Sequence, residues 1–312
     1  MSGKNRRVCV AGAGAIGGWV AVRLAQAGNE VMALASRGPV ERIKIAEGGE
    51  TSAAALQRFD GPADVLVIAV KAPALSTVAA TLHPLIGTDT VIVPMLNGVP
   101  WWFLEGEPLD SIDPGGAIAA ALPLDRVIGC VVHASCSRSA PDEIVVKHAD
   151  KLIIGEPNGE SSERLAGLYA LLDDAGLKPD QTGNVRRAIW YKLWGNATIN
   201  PLSALTRATC DRILDDPECR AWMLDGMAEL ASIGAAIDCP ISESGEDRMA
   251  VTARLGAFKT SMLQDVEAGR PIELEALVGA PREIARRHDI ATPALDRLYN
   301  VTKLMADSLG LG

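Results

Sequence analysis

The sequence predicts an α/β fold, a doubly wound parallel sheet, followed by an all-helical second domain. Two observations predict it. Short apolar runs alternate with helical patterns over the first half of the 312 residues, as strands and crossover helices of a parallel sheet do. After Gly183 the strand signal disappears and five helical segments follow. The length suits two domains, expected at 1–183 and 184–312. Hydrophobic residues make up 48% and charged residues 22%, as in an ordinary globular chain, and aromatics only 4%, so Ala, Val, Leu and Ile must fill the core.

The elements follow in order. RVCVA (Arg7–Ala11) reads as a buried strand, Gly14–Ala27 as a helix stopped by Gly28, and EVMALA (Glu30–Ala35) as a second strand. Between Arg37 and Gly61 the pattern is weak. DVLVIAV (Asp64–Val70) and TVIVP (Thr90–Pro94) are apolar enough for strands covered on both faces. Val127–Val132, Ile144–Lys147 and Leu152–Ile154 are further strands, and Ser161–Ala175 is a helix ending at Gly176. The later helices are expected at 185–200, 217–237, 245–268, 272–288 and 292–308. Pro201 biases Asn200 away from the α region, so the first of these should break or kink there.

Composition narrows the function. The formal net charge is −9 and both halves are acidic, which argues against a nucleic-acid or anionic-membrane surface. No apolar stretch is long enough to cross a membrane. Basic residues precede an apolar run at the N-terminus, but the run is short and glycine-rich, so it reads as a strand and a cytoplasmic location is expected. Six cysteines without a C-x-x-C pair and four scattered histidines give no metal pattern. They read as buried thiols.

Gly12-Ala13-Gly14-Ala15-Ile16-Gly17 is G-x-G-x-x-G between a predicted strand and a predicted helix. The first glycine permits the tight turn, the second lets the backbone approach a pyrophosphate, and the third packs helix on strand. The helix N-terminus, including Ala15 and Ile16, offers N–H groups to the phosphate. This is the Rossmann-type dinucleotide site. An acidic residue usually ends the second strand of an NAD site. Here Ala35-Ser36-Arg37 stands instead. Arg37 can fork onto a 2′-phosphate, so NADPH is the expected cofactor; the alternative is a solvated surface charge. Lys71 follows DVLVIAV and either faces the ligand crevice or snorkels at the surface. Asn97-Gly98 follows TVIVP and is either a ligand-orienting amide or an ordinary turn.

Lys192, Asn196 and Asn200 are spaced i, i+4, i+8. On a helix they fall within a sector of about 80°. Trp190, Trp194 and Ala197 lie on roughly the opposite side. Asparagine is a poor helix-interior residue, so two on one stripe point to a functional face rather than a solvated one. Lys192 is the best candidate proton donor to a carbonyl oxygen. Ser261 and Glu273 flank a helix stop at Gly269-Arg270-Pro271, where solvated residues are the ordinary reading.

Taken together, these segments resemble the ketopantoate reductase family (2-dehydropantoate 2-reductases). The resemblance runs through the glycine motif, VKAPAL around Lys71, LNGVPWW around Asn97, WYKLWGNATINPLSALT around Lys192, KTSMLQDVEAGRPIELEALVG around Ser261 and Glu273, and ATPALDRLY. It implies NADPH-dependent reduction of a 2-oxo acid in pantothenate biosynthesis. Lys192 would be the general acid and Glu273 a cleft glutamate needed for activity. Asn196, Asn200 and Ser261 would hold substrate, Asn97 would lie between substrate and cofactor, and Lys71 and Arg37 would contact the cofactor. The family often has a longer stretch before the DVLVIAVK strand, so an element within 38–63 is expected to be shortened. The partner would be a small-molecule 2-oxo acid, and a homodimer is plausible. Rival readings are a paralogue with another 2-oxo acid, an opine-type imine reductase, and an NADPH sensor. Loss of the lysine–asparagine ladder would mark a sensor, and the ladder is present.

Overall fold

The computed structural model describes residues 5–104, 106–254 and 256–312. They divide into two compact units. One runs to Leu96 and resumes over Gly116–Val185; the other is Asn97–Gly115 with Arg186–Gly312. Sequence reading placed 97–115 with the first domain. Asn97–Gly115 packs instead in the helical unit, because its aromatic residues have partners there.

In the first unit the chain forms β1 (Arg7–Ala11), α1 (Ala15–Gln26), β2 (Glu30–Ala35), β3 (Gly38–Val40), β4 (Arg42–Glu47), β5 (Glu50–Ala55), β6 (Val65–Ile68), α2 (Ala72–Ala79) and β7 (Val91–Pro94). After the excursion come α3 (Ala117–Ala121), β8 (Gly129–Ala140), β9 (Glu143–Gly155), α4 (Glu163–Asp174) and β10 (Pro179–Gln181). One sheet has the order β3-β2-β1-β6-β7, parallel except for the antiparallel edge strand β3. The expected parallel sheet is therefore present. β1 pairs with β2 on one side and β6 on the other. The ends of β1 and β6 thus mark the topological switch point, where such sheets bind ligands.

A second sheet was not expected. β9 pairs antiparallel with β8, and parallel with β4 through its first half and β10 through its last residues. The two separate strands expected over 144–154 are one strand. The segment 38–63 contains β3, β4 and β5 rather than a missing element. Its signal is weak because only Ile43 and Ile45 of β4 are deeply buried. The connection is Gly48-Gly49, both at positive φ (60° and 87°), which closes a two-residue hairpin whose strands pair Glu47 with Glu50. α1 packs against strands of both sheets, and a Cβ at Gly18 would lie 2.3 Å from Ile144 Cδ1. That explains a helix whose buried residues run continuously from Gly17 to Val22.

The second unit is helical: α5 (Val185–Thr206, whose first residue belongs to the first unit), α6 (Cys210–Asp215), α7 (Pro217–Ala236), α8 (Gly245–Ala253), α9 (Ser261–Glu267), α10 (Ala280–Arg287) and α11 (Pro293–Leu309). α5 does not end at Pro201. It continues to Thr206 with the proline inside, so the cost of the missing N–H is outweighed by burial of the following turn, where Leu202 and Ala204 are 2% and 0% exposed. The expected helix 245–268 is two helices, and 272–288 begins with a π-helical turn over Glu275–Gly279. The core is built on Trp190 and Trp194, whose indole N–H groups donate to the Leu230 and Met227 carbonyls of α7 at 3.1 and 2.8 Å. Gly234 makes this approach possible, since a Cβ there would lie 2.4 Å from Trp190 Nε1. Phe103 stacks on Trp190 at 5.9 Å, and Glu283 accepts from the Asp110 and Ser111 N–H groups, which ties the 97–115 segment to α5 and α10. Glu229 of α7 accepts from the Ala294 and Leu295 N–H groups and caps α11. No helix among the described residues is long and apolar enough to cross a membrane.

Candidate active site

The glycine loop follows β1. The Gly12 and Ala13 N–H groups both donate to the Leu34 carbonyl at the end of β2. Gly12 has φ +102°, and a Cβ on it would lie 2.6 Å from Ala69 backbone atoms beside β6; one on Gly17 would lie 2.0 Å from the Gly12 carbonyl oxygen. These two glycines are needed for close packing. Gly14 differs: a Cβ there meets nothing within 4 Å. Its open side, with the free N–H groups of the first turn of α1 at Ala15 and Ile16, is a cradle that suits a pyrophosphate. The Gly12 loop thus abuts the β6 end, and Lys71 stands at the N-cap of α2 on that same connection. Arg37 is exposed at the tip of a two-residue hairpin, since Ala35 pairs directly with Gly38. One residue here was not found by sequence reading. Arg138 of β8 donates to the Ala13 carbonyl. Register irregularities fall on both sides of it in the β8–β9 pairing, and such bulges re-aim side chains. No local sequence pattern announces this.

In the second unit the structure brings three predicted residues together. Lys192 Nζ donates to Asn97 Oδ1 at 3.1 Å. Asn97 Nδ2 donates to Glu273 Oε2 at 3.3 Å. Glu273 is 5% exposed, and Lys192 is half-buried. The amide of Asn97 is therefore oriented from both ends, its oxygen toward the cation and its nitrogen toward the carboxylate.

The backbone behind this arrangement is specific. In the π turn the Ala280 N–H goes to the Glu275 carbonyl. The next residue, Pro281, has no N–H to give to Ala276. The Ala276 carbonyl instead accepts from Val99 N–H at 2.8 Å. That bond fastens the loop carrying Asn97 beside the segment carrying Glu273. Gly98 fits this contact because it has φ +80° and no side chain.

Asn196 and Asn200 extend the Lys192 face along α5. Asn200 is 5% exposed, yet neither amide hydrogen-bonds another group among the described residues. Ser261 begins α9, whose N-cap is Thr260, and makes no hydrogen bond to Lys192, Asn97 or Glu273. Tyr191, beside Lys192, has its phenol pushed above its usual range by burial, by a hydrogen bond to Glu243 and by that carboxylate's charge; Arg248 works in the opposite direction. The Arg248 guanidinium lies over the Tyr191 ring, 5.6 Å from its centroid, a contact that no local sequence pattern announces.

A parallel sheet with a glycine cradle at its switch point, and a helical unit bearing a lysine–asparagine–glutamate set, define a nicotinamide-dinucleotide-dependent oxidoreductase acting on CH–OH groups. Comparison with known proteins gives the family. Residues 8–159 match the model described as Ketopantoate reductase PanE/ApbA, and residues 184–306 match Ketopantoate reductase PanE/ApbA C terminal. The chain belongs to the ketopantoate reductase family. It is 37% identical to a 2-dehydropantoate 2-reductase of Mesorhizobium japonicum, over 97% of this chain and 99% of that protein. Among solved structures, a Ralstonia solanacearum MolK2 protein assigned as a ketopantoate reductase is 46% identical, with TM-score 0.92 over 99% of this chain and 100% of that one. The 2-dehydropantoate 2-reductase of Methylococcus capsulatus is 28% identical, with TM-score 0.82 and 98% of each chain covered.

Proposed function

We propose that the protein reduces 2-dehydropantoate to pantoate with NADPH, and that Lys192 is the proton donor. The observation that carries this reading is the hydrogen-bonded series Lys192–Asn97–Glu273. An ammonium carries three N–H donors, and one that gives a bond to the Asn97 amide oxygen can also turn a donor to a carbonyl oxygen. When bound, NADPH supplies hydride to C2 of the substrate. Lys192 stabilises the oxygen as it gains negative charge and then transfers a proton to it, giving the hydroxyl. Asn97 fixes where the ammonium sits, and the Glu273 carboxylate fixes Asn97. Asn196 and Asn200, with unspent amide groups on the Lys192 face, and Ser261 hydrogen-bond the substrate's carboxylate and any distal hydroxyl.

For the cofactor, Gly12, Gly14 and Gly17 with the N–H groups at Ala15 and Ile16 would take the pyrophosphate. Lys71 and Arg37 would supply cationic contacts, Arg37 at the 2′-phosphate. The reading keeps a small 2-oxo acid as partner and a homodimer as the assembly. The test is NADPH oxidation with ketopantoate beside a panel of other 2-oxo acids. Turnover with ketopantoate is expected, and turnover confined to another acid would overturn the substrate assignment. Arg37→Ala is expected to raise the KM for NADPH by roughly 10- to 100-fold, the worth of charge-assisted bonds, with NADH little changed. Equal loss with both coenzymes would remove Arg37 from the 2′-phosphate.

A further inference from the structure

A 2-oxo acid brings a carboxylate, and taking a carboxylate out of water calls for a charged partner. In the site described above, Lys192 is committed to the keto oxygen, and Asn196, Asn200 and Ser261 are neutral. We propose that Arg248 of α8, one helical turn along α5 from Lys192, is the specificity-determining residue that supplies the positive charge to the substrate carboxylate, which Asn196, Asn200 and Ser261, being neutral, do not. This rests on the 2-oxo acid reading above.

Four observations place it. A Cβ built on Gly195 would lie 2.7 Å from Arg248 Nη2, so the guanidinium occupies the notch that glycine leaves in α5. Gly195 is three residues after Lys192 and lies on the flank of the Lys192 face opposite Asn196 and Asn200, so Arg248 borders the face from the Tyr191 side. Gly195 is turned about 60° from Lys192 around the helix, where side chains three apart have Cβ atoms about 5–6 Å from one another. The guanidinium also lies over the Tyr191 ring, 5.6 Å from its centroid, and donates through Nη1 to Thr252 Oγ1 at 3.2 Å. Its Nε is buried without a partner, and no carboxylate among the described residues pairs with it. Arg220, Arg270, Arg282 and Arg287 of the same unit all have acidic partners. Glycine is a poor residue in the middle of a helix. Its place at 195 is explained by the arginine it admits. A planar fork held from behind by Tyr191 and Thr252 is suited to bidentate capture of a carboxylate.

The test separates carboxylate recognition from simple pinning of α8 to α5. Binding of oxamate, a carboxylate analogue of a 2-oxo acid, and of its uncharged ethyl ester is measured by calorimetry on the full chain, with and without NADPH. Arg248→Gln is expected to weaken oxamate binding by roughly 10- to 100-fold and to leave the ester unchanged. Gly195→Ala should reproduce this selectively with the fold retained in melting experiments, because the atoms its methyl meets are the far end of the Arg248 side chain and not backbone. Loss of both ligands in parallel, or of neither, overturns the proposal. Ketopantoate turnover with oxamate binding indifferent to Arg248 would keep the function and remove this residue. Arg248-dependent oxamate binding without ketopantoate turnover would do the reverse.

Discussion

Lys192→Ala is expected to lower kcat for ketopantoate reduction by roughly 10²- to 10⁴-fold, the range of a positioned general acid. NADPH affinity should be little changed, since the groups expected to hold its phosphates are the glycine loop, Lys71 and Arg37. The size follows from what replaces the ammonium. Asn97 stays bonded to Glu273, but its oxygen then faces the substrate, and an acceptor opposed to a developing oxyanion raises the barrier further. Lys192→Arg separates the two duties. A guanidinium can donate to Asn97 and to the keto oxygen, yet it does not give up a proton at neutral pH. Binding of a product analogue should therefore recover in the arginine variant while kcat stays within about tenfold of the alanine variant. Full recovery of kcat with arginine would show that charge alone suffices and that the proton comes from elsewhere.

Gly98→Ala should be a severely damaging conservative change although Gly98 is not a reacting group. Its Cβ would lie 2.3 Å from the Ala276 carbonyl oxygen and 2.5 Å from the carbonyl carbon, at φ +80°. Relief requires backbone movement, which breaks the Val99–Ala276 bond and shifts Asn97. We expect a loss of roughly 2–4 kcal/mol in stability from the left-handed conformation and the overlap together. kcat should fall by about 10²-fold from a displacement of order 1 Å. Gly115→Ala is the control. It has φ +74° in the same unit, but a Cβ there meets nothing within 4 Å. It should cost about 1–2 kcal/mol in melting experiments and leave kcat intact. Equal kinetic damage from both would trace the effect to backbone strain in general, not to the seat of Asn97.

The parts of this molecule legible in the sequence are those whose cause is local. The strand, glycine turn and start of α1 sit within 7–26, and Gly12 and Gly17 each have a steric reason there. The polar stripe on α5 needs only the helical repeat. What escaped needs distant partners. Asn97 meets Lys192 across 95 positions and Glu273 across 176, and only the family resemblance had grouped them. Arg138 and Arg248 act through a carbonyl and a glycine far along the chain. β4 and β5 are mostly half-exposed and alanine-rich, so their apolar alternation is faint. Pro201 misled because a tertiary core can carry a proline through a helix, and the π turn was invisible because its cause, Pro281, looks from sequence like an ordinary first-turn proline.

The assignment of Asn97–Gly115 to the helical unit also bears on how this architecture can be recombined. The backbone passes from one unit to the other at 96–97, at 115–116 and again at 185–186. A chimera of two homologues joined once near 183 would pair Trp101, Trp102 and Phe103, at most 4% exposed, with a foreign helical core. Exchanging the helical unit cleanly takes three junctions, and the short transplanted piece brings Asn97 with it. Inheritance of the polar triad is thus tied to co-inheritance of two segments distant in the gene.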